Sequence, residues 1–121
     1  YLETAGIEGI FNFPSEIPPV PMTSESRRNS FLTVKEALHN IVKHAGATEV
    51  RLNLSYSENV LSIVLADNGK GFDPGNRLGT GNGLVNMQKR ILEIGGAYTL
   101  VSEPGKGTEI SFTVKLNPLS E

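Results

Sequence analysis

Five stretches of this chain carry the short apolar patterns of strands and only two carry helical spacing, an imbalance that decides the fold class. Ile7, Ile10 and Phe11 to Phe13 predict a first strand, after which Pro14, Pro18, Pro19 and Pro21 forbid regular structure and make a linker. Ser24 or Ser26 can then cap a helix whose residues Phe31, Val34, Leu38, Ile41, Val42 and Ala45 follow helical spacing, with Gly46 as its stop. Val50, Leu52 and Leu54 alternate with Arg51, Asn53 and Ser55, and Val60 to Ala66 follows Ser57-Glu58-Asn59, so a hairpin is predicted that stops at Asp67. Leu84, Met87, Ile91, Leu92 and Ile94 predict a second helix closed by Gly95-Gly96, and Tyr98 to Val101 then pairs with Ile110 to Leu116 around Pro104-Gly105-Lys106-Gly107. The order is strand, helix, two strands, helix, two strands. Too few helices exist to cross between the strands, so the expected fold is an α/β two-layer sandwich with helices on one face of a mixed, mainly antiparallel sheet, not a doubly wound one.

With 121 residues, 38% of them hydrophobic, the chain has material for one core, so a single domain is expected over residues 1–121. Residues 1–23 supply the leading strand and Pro-rich linker, and 24–117 the core. Eleven basic against thirteen acidic residues give a net charge of −2, which argues against a nucleic-acid partner or direct membrane contact. The absence of cysteine excludes disulfides, zinc-thiolate sites and cysteine nucleophiles. Tyr1-Leu2-Glu3-Thr4 offers neither a basic region nor a long apolar run, and the expected setting is a cytoplasmic module cut from a longer chain.

Three runs in fixed order carry the chemistry: Glu36-Ala-Leu-His-Asn40-Ile-Val-Lys43-His44, Asp67-Asn-Gly69-Lys-Gly71-Phe72-Asp73, and Gly79-Thr80-Gly81-Asn-Gly83-Leu84. The first sets a carboxylate, an amide and an ammonium at i, i+4 and i+7, on one face of a helix. The others are glycine-rich loops of the kind that bring backbone N–H groups to phosphate oxygens, and the three together read as a nucleotide site. The dinucleotide fingerprint does not fit, because Pro74 stands where its third glycine belongs, and Leu100 stands where a Walker motif ending at Gly105-Lys106 needs its leading glycine. His39 and His44 lie about 140° apart around a helix and cannot share one metal.

Over roughly residues 30 to 117 the sequence resembles the catalytic, ATP-binding domain of two-component sensor histidine kinases, in the superfamily that includes DNA gyrase and the mismatch-repair ATPases. Within it, the chain is similar to the nitrate-sensor and desaturase-thermosensor group. The resemblance rests on the Glu36-x-x-x-Asn40 box followed by Lys43-His44, on Asp67-x-Gly69-x-Gly71-Phe72, on Gly81-x-Gly83-Leu84 and on the closing Gly105-x-Gly107-Thr108. It implies ATP and Mg2+ as cofactors, Asn40 as the metal-holding amide, and Asp67, Gly69, Gly71, Phe72, Gly79, Thr80, Gly81, Gly83, Leu84 and Thr108 around the nucleotide.

The residue chemistry agrees. Asp67 at a strand end can accept a hydrogen bond from the six-position amine of adenine, which guanine replaces with a carbonyl. Lys43 can reach a phosphate, and His44 packs or bonds at the helix end or touches phosphate. Gly69 and Gly71 let backbone pass the base, Phe72 reads equally as a core plug or a ligand contact, and Gly81 and Gly83 open a helix toward the phosphates. Gly75 and Gly79 supply hinge freedom in a lid of roughly ten residues, expected to be coil. Glu36 is the catalytic candidate: by the resemblance it polarises water in gyrase-like relatives, and here it would orient an imidazole or support the metal shell. Neither histidine precedes an acidic residue, as the phosphoacceptor of this group does, so the resemblance implies an acceptor histidine on a helical dimerisation domain of the same full-length protein and a downstream response regulator. The isolated domain is expected to be monomeric, and a membrane anchor elsewhere in the full protein is compatible with the resemblance. The alternatives are a protein-serine kinase of the anti-sigma-factor type with the same fold, and a non-catalytic nucleotide-binding regulatory module.

Overall fold

The computed structural model describes residues 6–12, 23–71 and 83–115, with His44, Ala45 and Gly83 to Val85 described in their backbone only. Seven elements follow the predicted order: β1 (Glu8–Asn12), α1 (Ser24–Asn40), β2 (Glu49–Ser57), β3 (Val60–Asp67), α2 (Gly83–Glu93), β4 (Ala97–Ser102) and β5 (Thr108–Lys115). The Pro-rich linker, the lid with Phe72, Gly75, Gly79, Thr80 and Gly81, and the last expected strand residue Leu116 lie outside the described residues. The strands form one sheet in the order β1-β2-β3-β5-β4, parallel between β1 and β2 and antiparallel elsewhere. The expected two-layer sandwich is the observed fold.

Strand alternation decides which face is covered. Val50, Leu61, Ile63, Leu65, Ile110, Phe112 and Val114 are buried, and the register sets Leu61 opposite Val114, Ile63 opposite Phe112 and Leu65 opposite Ile110. Arg51, Asn53 and Ser55 point to the exposed face. The β2–β3 turn places Glu58 and Asn59 at φ 51° and 65°, the pair of positive values that matches a two-residue turn to strand twist. Tyr56 donates its hydroxyl hydrogen to Asn59 Oδ1 at 3.1 Å.

The helices differ from expectation in detail. Thr23, not Ser24 or Ser26, caps α1: its Oγ1 accepts the Ser26 N–H at 3.0 Å. The buried residues of α1 are Ser26, Asn29, Ser30, Thr33 and Ala37, whereas Phe31 is 64% exposed. These small side chains allow close approach to α2, whose Met87 and Ile91 are fully buried. Asn29 Nδ2 donates to the Arg90 carbonyl at 2.9 Å, and the buried Thr33 hydroxyl donates back to the Asn29 carbonyl at 2.8 Å. Residues Ile41–Ala45 continue α1 as a wider π-helical turn before Gly46 ends it at φ 64°. Helix α2 closes on Gly95 (φ 77°), whose N–H bonds Leu92 O while the Gly96 N–H bonds Ile91 O, so Ile94 lies past the helix. Leu92, read as part of the apolar face, is 57% exposed. Among the described residues no helix is long and apolar enough to cross a membrane.

Candidate functional site

The antiparallel register sets the start of the second box beside the closing box at one end of the sheet, whereas Gly79, Thr80 and Gly81 of the third box lie outside the described residues. Asp67 ends β3 opposite Thr108, the first residue of β5, and opposite Val50 near the start of β2. The C-terminal end of α1, with Asn40 and Lys43, leads through Gly46, Ala47 and Thr48 into that same start of β2. Helix α2 ends near the opposite edge, where Ala97 pairs with Thr113, and its first residue, Gly83, therefore points back toward the Asp67 end.

Asp67 is half-buried, and its carboxylate is fixed from two sides. Gly69 donates its N–H to Oδ1 at 2.7 Å, and the Thr108 N–H also bonds the carboxylate. Desolvation by burial is the largest influence and raises the Asp67 pKa above its ordinary value of 3.8, against the lowering effect of those two donors. A carboxylate at a strand end, partly stripped of water and oriented by backbone donors, is a pre-positioned acceptor.

The glycines of the second box earn their place by packing. A Cβ on Gly71, which has φ 65°, would overlap the Glu103 carbonyl and crowd the Gly107 carbonyl. A Cβ on Gly107, at φ 81°, would overlap the Asp67 carbonyl. Gly105 donates its N–H to the Lys70 carbonyl, so the β4–β5 turn backs the Asp67 loop directly. Thr108 adds a hydroxyl contact of 2.8 Å to Ser102, whose Oγ also donates to the Gly107 carbonyl at 3.1 Å. Thr108 thus stands behind Asp67, holding it by its backbone.

On α1, Glu36 and Asn40 are half-buried and Lys43 is exposed. Glu36 lines a groove with Leu32, Lys35, His39 and Arg90. Asn40 offers an amide oxygen, and among the described residues no group of three or more His, Cys, Asp or Glu side chains could hold a metal alone. That donor set suits magnesium, which takes few protein ligands and completes its shell with phosphate oxygens and water. The roles of His44, Gly83 and Leu84 rest on side chains or approaches beyond the described atoms.

The profile of the histidine kinase-, DNA gyrase B- and HSP90-like ATPases matches residues 27–118. The chain belongs to this family. It is 38% identical over 87 residues to the sensor protein VraS of Staphylococcus aureus (strain COL), an alignment covering 72% of this chain and 25% of that protein. The chain therefore spans about a quarter of the length of such relatives. Its fold is similar to the Acinetobacter baumannii histidine kinase AdeS, with TM-score 0.76 and 18% identity over 96% of this chain and 57% of that one. It is also similar to full-length ShkA in complex with AMPPNP, with TM-score 0.75 and 23% identity over 97% of this chain and 27% of that one. Family membership accounts for the spacing of the boxes.

Sequence reasoning assigned Asn68 no role. Its Oδ1 accepts the N–H groups of Thr48 at 2.9 Å and Glu49 at 3.0 Å, and its Nδ2 donates to Thr48 Oγ1 at 2.9 Å. The signal was present: Asn in an Asp-Asn-Gly turn commonly bonds backbone. Its partner, twenty residues earlier in the chain, was not legible.

Proposed function

We propose that this chain is the Mg-ATP-binding catalytic module of a sensor histidine kinase, donating the γ-phosphoryl group to a histidine on a separate helical dimerisation domain. The observation that carries the reading is Asp67, half-buried at the end of a central strand and oriented by the Gly69 and Thr108 N–H groups. Family membership, the similarity to VraS and the AMPPNP held by the similar ShkA structure support it.

In this reading Asp67 accepts from the adenine amine and so favours ATP over GTP. Lys43 offsets phosphate charge, and the Gly81 to Leu84 run brings N–H groups and the start of α2 to the phosphates. Asn40 would hold magnesium, which supplies charge neutralisation between the β- and γ-phosphates when bound. Glu36, one turn before Asn40, orients the incoming imidazole or supports the metal shell. The acceptor nitrogen bonds to the γ-phosphorus as the bridging oxygen bond breaks and ADP leaves. Positioning and charge supply most of the rate. The phosphoryl group then passes to a response regulator, and the domain works at the cytoplasmic side of a kinase whose other segments carry any anchor.

Asn40→Ala should weaken binding of a non-hydrolysable ATP analogue by about tenfold with magnesium present and by much less in a chelator, because its partner is the metal. Calorimetry in both conditions measures this, and equal losses would contradict a metal role.

The reaction itself is tested by supplying the acceptor separately. The isolated chain should bind ATP and incorporate no acid-labile phosphate. Added to the upstream helical domain of its own gene as a second polypeptide, it should label a histidine there, more slowly than the joined protein because the tether's effective concentration is lost. Self-labelling on histidine, or label on a serine of a separate protein, overturns the assignment.

A further inference from the structure

The Asp67 carboxylate and the Asn40–Lys43 end of α1 belong to different segments, and the Asn68 side chain beside the first bonds the short stretch that follows the second. Asn68 leaves β3 with its own N–H bonded to the Glu49 carbonyl at 3.3 Å, extending the β2–β3 pairing past Asp67. Its amide then commits both oxygen and nitrogen to one short stretch: Oδ1 to the Thr48 and Glu49 N–H groups, Nδ2 to the Thr48 hydroxyl. Thr48 is held from its other side as well, since its carbonyl accepts the Glu8 N–H of β1 at 2.9 Å. Only Gly46 and the buried Ala47 separate Thr48 from the helical residues Ile41–Ala45. Where Thr48 sits, the end of α1 follows. On its other flank, Asn68 is the middle residue of the turn in which Gly69 fixes the Asp67 carboxylate.

We propose that Asn68 is a positioning residue that sets the spacing between the base-binding carboxylate of Asp67 and the metal- and phosphate-binding end of α1, an inference that rests on the ATP reading above. A ligand spanning both halves gains from a fixed spacing, because binding one half then presents the other without further ordering. A ligand that fills only the Asp67 half gains nothing from it. The bonds themselves are exposed, so water can replace the amide at the Thr48 and Glu49 N–H groups and the fold tolerates its loss. The effect of the clamp therefore appears in binding of the long ligand.

Two ligands separate the possibilities: a non-hydrolysable ATP analogue with magnesium, titrated by calorimetry, and adenosine, measured by competition against it. In Asn68→Ala the analogue's affinity should fall about tenfold and adenosine's less than about threefold, with the thermal midpoint within a few degrees of the parent. Asn68→Asp keeps an oxygen for both backbone N–H groups and lets the Thr48 hydroxyl donate, so it should recover most of the analogue's affinity. Thr48→Val removes the hydroxyl and neither N–H, and should fall between. Equal fold-losses for adenosine and the analogue would make Asn68 a base-site or general loop residue, and unchanged affinities would make it dispensable; either overturns the proposal. Failure of the ATP reading is a different result: the unsubstituted chain would then bind neither ligand, and the positioning role would fall with it.

Discussion

Asp67→Asn should weaken binding of the ATP analogue by about 1.5–3 kcal/mol, since the charged acceptor proposed for the adenine amine becomes a neutral amide. The fold should not suffer. Burial raises the Asp67 pKa in the folded chain, so the native state holds its proton more tightly than the unfolded one. Stability then declines as pH rises from below the ordinary value of 3.8 through the raised folded value, and stays on the lower plateau near neutrality. Asparagine cannot ionise, and its Oδ1 still accepts from Gly69. The thermal midpoint of the variant at neutral pH should therefore equal or exceed that of the parent, and the decline through that window should be reduced. The parent's affinity for ATP should fall on acidification as Asp67 gains its proton, a dependence the variant lacks. Calorimetric titration and thermal unfolding across pH measure all three. A folded variant with unchanged affinity removes Asp67 from the site.

Such a trade between stability and binding also marks what the sequence could and could not disclose. The strands and the β2–β3 hairpin were legible because alternation at Val50, Leu52 and Leu54 and a two-residue turn are local signals. The two-layer architecture followed from element order. Helix α1 was legible in place but not in facing. Its apolar positions suggested that Phe31 is buried, whereas Ser26, Ser30 and Thr33 are, because α2 approaches closely there and small residues suit a close approach. The π-helical turn after Asn40 was likewise hidden, since Ile41–Ala45 has the composition of any helix end. The glycines were found for one reason and act for another. Gly71 was read as room for the base, and the described atoms give it a second task, admitting the Glu103 carbonyl from a turn more than thirty residues away in sequence. Contacts of that separation carry no local signature.

The same close approach sets the largest expected effect on stability. Gly105 and Gly107 share φ 81°, so alanine at either meets the same left-handed backbone cost of roughly 1–2 kcal/mol. Their surroundings differ. A Cβ on Gly105 meets nothing within 4 Å, while one on Gly107 overlaps the carbonyl of Asp67 and crowds Asn68. Displacing that backbone adds an overpacking cost of about 1–3 kcal/mol, so Gly107→Ala should lose about 2–5 kcal/mol in all. In thermal unfolding, Gly107→Ala should lower the midpoint by roughly twice as much as Gly105→Ala. Binding should separate the two further, because the displaced carbonyl belongs to the residue proposed to receive the base. Gly105→Ala should keep ATP affinity within about threefold of the parent, and Gly107→Ala, assayed below its own midpoint, should lose about tenfold or more. Equal losses in the pair would mean that backbone conformation alone governs this turn, and that the β4–β5 turn does not hold Asp67 in place.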